Sequence, residues 1–117
     1  MAYGTRAGFD AIRTLAFGGI SGTYAAVGSA TTDHARVIRF VNSTNVDVFI
    51  SLDGAIDHIR LASGSFLLVD FTANKVRDDG LFISVGTIFY TKGVSELGGP
   101  ASGAVWIEVI SAVAGGV

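Results

Sequence analysis

The part of this sequence best supplied with reactive side chains is Ser51–Asp70, SLDGAIDHIRLASGSFLLVD, with three aspartates, one histidine and two glycines in twenty positions. With Asp47 just upstream, Asp53 and Asp57 could offer carboxylate oxygens to a hard cation. Calcium asks for about six or more oxygens, and an EF-hand loop sets them at fixed spacings around a glycine and a closing glutamate. That spacing does not occur here. Asp53-Gly54 instead follows an alternating run and precedes another, which is how a hairpin connection reads. No metal site is expected.

The histidines, His34 and His58, are two in number. Zinc would need both together with carboxylates, and no local His-x-x-x-His spacing supports it. His58 reads as a half-exposed strand residue and His34 as a loop or strand-entry residue. There is no cysteine, so thiol nucleophiles, thiolate metal sites and disulfides drop out together. No Gly-x-Ser-x-Gly elbow is present. Phe17-Gly-Gly-Ile-Ser-Gly22 has the glycines of a phosphate-binding loop, but such a loop must open a helix, and Thr23–Gly28 does not read as one. Asp10, Asp70 and Glu108 read as members of ion pairs. No catalytic residue and no cofactor is expected, and the chain is not expected to be an enzyme.

The elements that would position these residues follow a period of two. Val46, Val48, Ile50 and Leu52 alternate with Asp47, Phe49, Ser51 and Asp53; Val105, Ile107 and Val109 alternate with Trp106, Glu108 and Ile110. Further β-rich runs are Ile12–Phe17, Thr23–Val27, Ala35–Asn42, Ile56–Leu61, Ser65–Phe71, Leu81–Val85 and Thr87–Lys92. Turn chemistry separates them at Asn42–Asn45, Asp53-Gly54, Ser63-Gly64, Asp78–Gly80, Gly86 and Gly98–Gly103. About eight short strands predict an all-β chain: a single antiparallel β-sandwich, jelly-roll-like, over residues 11–117, preceded by an extended N-terminal arm, residues 1–10.

Composition asks where the apolar surface goes. Of the 117 residues, 50% are hydrophobic and 15% charged, against about 25% charged in ordinary soluble domains; the mean hydropathy is +0.54. The longest uncharged stretch, Thr14–Thr32, contains four glycines, and no run approaches the ~18 apolar residues of a spanning helix. No secretory signal is read at the start. A net charge of −2 with eight scattered Lys and Arg offers no basic patch, so neither nucleic acid nor membrane is an expected partner. Phe66-Leu-Leu-Val69 is apolar on both faces, and Trp106, Ile110 and Ala112 make the second face of the last strand apolar too. Either Phe66–Val69 is the central strand of the sandwich, or its outer face meets another subunit; both features suit an assembled protein. The candidate interface residues are Phe9, Phe17, Phe66, Leu68, Trp106 and Ile110.

The order of short motifs carries a resemblance. Phe9-Asp-x-Ile-Arg-Thr-Leu-Ala-Phe-Gly18 leads into Ile20-Ser-Gly-Thr-Tyr-Ala-Ala-Val-Gly28, then Arg39-Phe-Val-Asn-Ser-Thr44, Ile50-Ser-Leu-Asp-Gly54, Asp57-His58 and Gly64-Ser-Phe66. Asp70-Phe-Thr-Ala-Asn-Lys75, Gly86-Thr-Ile-Phe-Tyr-Thr-Lys92 and Gly103-Ala-Val-Trp-Ile-Glu-Val-Ile110 complete the series. Over about residues 9–113 the chain resembles small β-rich virion structural proteins of tailed bacteriophages. The resemblance implies location in the virion, other virion proteins as partners and a homo-oligomer. It implies a capsid decoration or cement role, or else a head–tail connector, collar or tail-associated one. It transfers no catalytic residue. A carbohydrate- or receptor-binding module is the alternative from another class, with Trp106, Tyr24 and Tyr90 as stacking platforms.

Overall fold

The alternation of apolar and polar residues becomes alternation across sheets. The structure, a computed structural model, describes residues 5–70, 83–94 and 99–114, with only the backbone described at 5–7 and 112–114. Its strands are β1 (Thr5–Phe9), β2 (Arg13–Ala16), β3 (Ala25–Ala26), β4 (His34–Asn42), β5 (Val48–Ser51), β6 (Ile59–Leu61), β7 (Phe66–Asp70), β8 (Tyr90–Gly93) and β9 (Ala104–Ala114). One sheet runs β1-β9-β4-β7, with β2 also on β9; the other runs β3-β8-β5-β6. Every pairing among these strands is antiparallel. The chain is an antiparallel β-sandwich.

The pairs nest. Strand β5 meets β6, β4 meets β7, β3 meets β8, and β2 meets β9, from the innermost pair in sequence to the outermost. Of the segment expected to be an arm, Thr5–Phe9 is strand β1, in register with Ala114–Ile110 of β9.

The inner faces supply the core. Ala35, Ile38 and Phe40 of β4 and Val105, Ile107 and Val109 of β9 meet Val48 and Ile50 of β5, Leu61 of β6, and Ile20, Val27 and Phe89 from the connections. Phe40 and Phe89 meet edge to face, ring centroids 5.7 Å apart, a geometry that adds about 0.5–1.5 kcal/mol beyond the burial of the rings. Strict alternation would place Ala35 and Ile38 on opposite faces, yet both are buried. A register shift between Ala35 and Val37, the signature of a β-bulge, resolves the conflict by inserting one residue.

Element existence follows the sequence reading more closely than element length does. The run expected over Ile56–Leu61 is a strand only from Ile59, because Asp53 holds the preceding loop. The run Thr23–Val27 contracts to two residues and Thr87–Lys92 begins as a strand only at Tyr90. Phe17 leaves the first run to enter a 3-10 turn, Phe17–Gly19. Of Leu81–Val85, Ile83 makes an isolated bridge to Ala35, and positions 81 and 82 lie outside the described residues, as does Asp78–Gly80.

Candidate functional site: an apolar outer face

The acids of the opening stretch prove to be the caps of its turns. Asp53 accepts the Ala55 and Ile56 N–H groups at 2.8 and 3.0 Å and the Ser51 hydroxyl at 2.9 Å. These bonds, the one from Ile56 foremost, stabilise the ionised form and hold its carboxyl at about 2. Asp47 accepts the Ser63 N–H at 2.9 Å and pairs with Arg60 at 3.1 Å. Its carboxyl is lowered too, chiefly by the backbone bond. Asp57 accepts the Tyr24 hydroxyl and stands 3.4 Å from Lys92 Nζ. The Tyr24 bond leads in lowering it, while burial foremost, then that same bond, raises the phenol.

His58 Nδ1 accepts the Leu52 N–H, and His34 Nδ1 accepts the Val85 N–H. Among the described residues no three His, Asp or Glu side chains are grouped to hold a metal.

Two buried polar residues, neither singled out by sequence reasoning, hold the sandwich together. Arg13 is 6% exposed. It donates to the carbonyls of Ser29 and Ala30 at 2.8 and 3.1 Å and pairs with Asp10 at 3.2 Å. It thereby ties β2 of one sheet to the segment that follows β3 of the other. Gly28 makes room for it: φ is +72°, and a Cβ there would fall 2.7 Å from Arg13 Cγ. The open depression above this contact, about 520 Å³, is lined by residues 9–14 with Gly28, Ser29 and Thr32.

Asn42, at 0% exposure, donates from Nδ2 to Val46 O and Leu61 O at 2.9 and 3.0 Å. Its Oδ1 accepts the Thr44 N–H and lies 2.6 Å from the Thr44 hydroxyl. The corner after β4 is thus pinned to the end of β6. The only sequence signal for either residue is a polar side chain at an inward position of an alternating run.

The outer face of the β9-containing sheet gathers most of the candidate interface residues. Because Val105, Ile107 and Val109 point inward, Trp106, Glu108 and Ile110 point outward. The registers then lay out three rows across the sheet. Phe66, Val41, Trp106 and Thr14 form the first. Leu68, Arg39 and Glu108 form the second. Asp70, Val37, Ile110 and Phe9 form the third.

Phe9, Phe66, Leu68 and Trp106 are 78, 62, 54 and 42% exposed, while Ile110, Val37 and Val41 are half-buried. In the middle of the grid Arg39 Nε meets Glu108 Oε1 at 2.5 Å. Phe17 is not part of it; that ring sits on the 3-10 turn beyond β2, also exposed. Leu67, on the inner face in register with buried Phe40, is nevertheless 38% exposed, because β7 is the edge of its sheet.

The opposite face of the sandwich differs. There Lys92 Nζ lies 4.6 Å from the centre of the Tyr24 ring and 5.8 Å from that of Phe49, within cation–π range. Tyr90 shares this face, directly opposite Ala26 and Ser51. Tyr24 and Tyr90 are therefore on one side of the molecule and Trp106 on the other, so the three do not form a single stacking platform.

No protein-family model, no curated protein and no solved structure matches the chain.

Proposed function

We propose that this chain is a non-enzymatic structural subunit of a tailed-bacteriophage virion, acting as a capsid decoration or cement protein that bridges neighbouring capsid subunits. One observation carries the assembly part of the reading: four large apolar side chains, Phe9, Phe66, Leu68 and Trp106, stand exposed on a single sheet face. Large apolar side chains exposed together on one face around a central ion pair support an interaction site. We read the nested strand pairing as a jelly roll, a form used by viral capsid proteins and also by lectins and cupins. A fold does not choose among such roles. The virion setting rests on the sequence resemblance alone, which implies other virion proteins as partners. The mechanism is mechanical: many symmetry-related contacts, each weak, hold by multivalency.

Cryo-EM localisation in purified particles of the phage that encodes the chain tests the proposal. Density distributed over the head is the expected result. Density at a single vertex replaces the cement role with a connector, collar or tail role. Absence from the particles overturns the virion reading.

A further inference from the structure

We propose that the occupant of the apolar outer face is a second copy of this chain, docked about a two-fold axis that runs along the strands between β4 and β9. This rests on the assembly reading above and names its partner. The two central strands are self-complementary about that axis, while the outer columns set Phe66 against Thr14 and Asp70 against Phe9. Reflection of the grid across the line between β4 and β9 brings Arg39 opposite Glu108 of the second copy, and Glu108 opposite its Arg39. The same operation sets Val41 against Trp106 and Val37 against Ile110, apolar on apolar in each case.

A two-fold axis across the strands would instead stack Arg39 on Arg39 and Glu108 on Glu108, which desolvation would make costly. Charge therefore selects one axis. The ion pair suits a double role, because the contact within the chain uses Nε of Arg39, and a guanidinium offers further donors in the same plane for a second carboxylate. Both partners stay partly exposed, with side chains 47% and 37% accessible.

Size sets the strength. Four columns about 4.8 Å apart, the fourth shared by β1 and β2, with outward residues about 6.8 Å apart in three rows, span on the order of 400 Å² per copy. A standard interface buries about 800 Å² per partner. The pairing is therefore weak in free solution, forms at high concentration, and is completed where the assembly holds two copies side by side.

The test is analytical ultracentrifugation of the full chain over a dilution series, with Arg39→Glu, Glu108→Arg and an equimolar mixture of the two. Wild type is expected to pass from monomer to dimer as concentration rises. Each charge reversal places like charges at the centre and lowers dimer affinity at least tenfold. The mixture is expected to recover a heterodimer, since one variant then offers two acids and the other two bases. Recovery in trans cannot come from the ion pair within a chain. Trp106→Ser, at an exposed position set against Val41 of the second copy, serves as a second variant: it keeps the fold, read by circular dichroism, and loses the dimer.

A wild type that stays monomeric at its highest soluble concentration, or folded reversal variants that fail to recover on mixing, would overturn the proposal. A monomer that still decorates particles would refute the second copy and spare the assembly reading. A dimer missing from particles would do the opposite.

Discussion

Replacing Asn42 by alanine is expected to cost about 3 kcal/mol of folding stability, more than any surface substitution in the molecule. The side chain makes four contacts, to Val46 O, Leu61 O, the Thr44 N–H and the Thr44 hydroxyl. That hydroxyl has one proton to share between Asn42 Oδ1 and Val46 O, which it also approaches at 2.8 Å. Three independent bonds are therefore lost, at about 1 kcal/mol net each. The space vacated by the amide in a fully buried site adds to this.

A domain of this size loses roughly 4 °C of melting temperature per kcal/mol, so the midpoint should fall by about 12 °C in a calorimetric or circular-dichroism melt. The matched control is Asn45→Ala. Asn45 is exposed and accepts a single bond from the Ala101 N–H at 2.8 Å, and its loss should cost about 1 kcal/mol or less. A fall of less than about 1 kcal/mol for Asn42→Ala, measured by urea unfolding with an unchanged slope, would refute the assignment of Asn42 as the pin between β4 and β6.

Two glycines separate backbone strain from steric clash. Gly28 and Gly64 share a positive φ, +72° and +73°, but a Cβ meets Arg13 at Gly28 and nothing within 4 Å at Gly64. Gly64→Ala should cost about 1–2 kcal/mol, from the left-handed conformation alone. Gly28→Ala should cost measurably more in the same urea titration; equal costs would mean that Arg13 yields without loss. Asp53 gives a pH signature. Its carboxyl titrates at about 2 in the folded chain against an ordinary 3.8, so its contribution is present above the ordinary value and lost as pH falls toward 2. A stability–pH profile should show a shallower acid-side decline for Asp53→Asn than for wild type between about pH 4 and 2. Identical profiles would refute the turn-capping role.

What the sequence makes legible is the part of the fold that alternation controls. Val46–Asp53 and Val105–Ile110 announce β5 and β9 because each pairs an apolar inner face with a distinct outer one. The apolar outer face is equally visible, since Phe66, Leu68, Trp106 and Ile110 break the polar half of the alternation. What stays hidden depends on partners distant in sequence. Arg13 looks like a solvated residue of a short strand, and only the approach of Ser29 and Ala30, sixteen and seventeen positions away, makes it a buried tie. Asn42 looks like the first residue of a turn, yet its Leu61 partner is nineteen positions away. Phe17 lies outside the grid that the other five candidate residues share, because β2 ends at Ala16 and the chain enters a 3-10 turn, a break that the apolar run does not announce.

The nesting of strand pairs has a consequence for synthesis of the chain. The innermost pair, β5 with β6, can close as soon as both have left the ribosome, whereas β9 must return past every earlier strand to lie between β4 and β2. Its partners are as remote as Thr5 for Ala114, the kind of long-range closure that comes late and slowly in folding. The grid around Arg39 and Glu108 does not exist until β9 is seated. A chain in which β9 is not yet seated therefore lacks that face altogether.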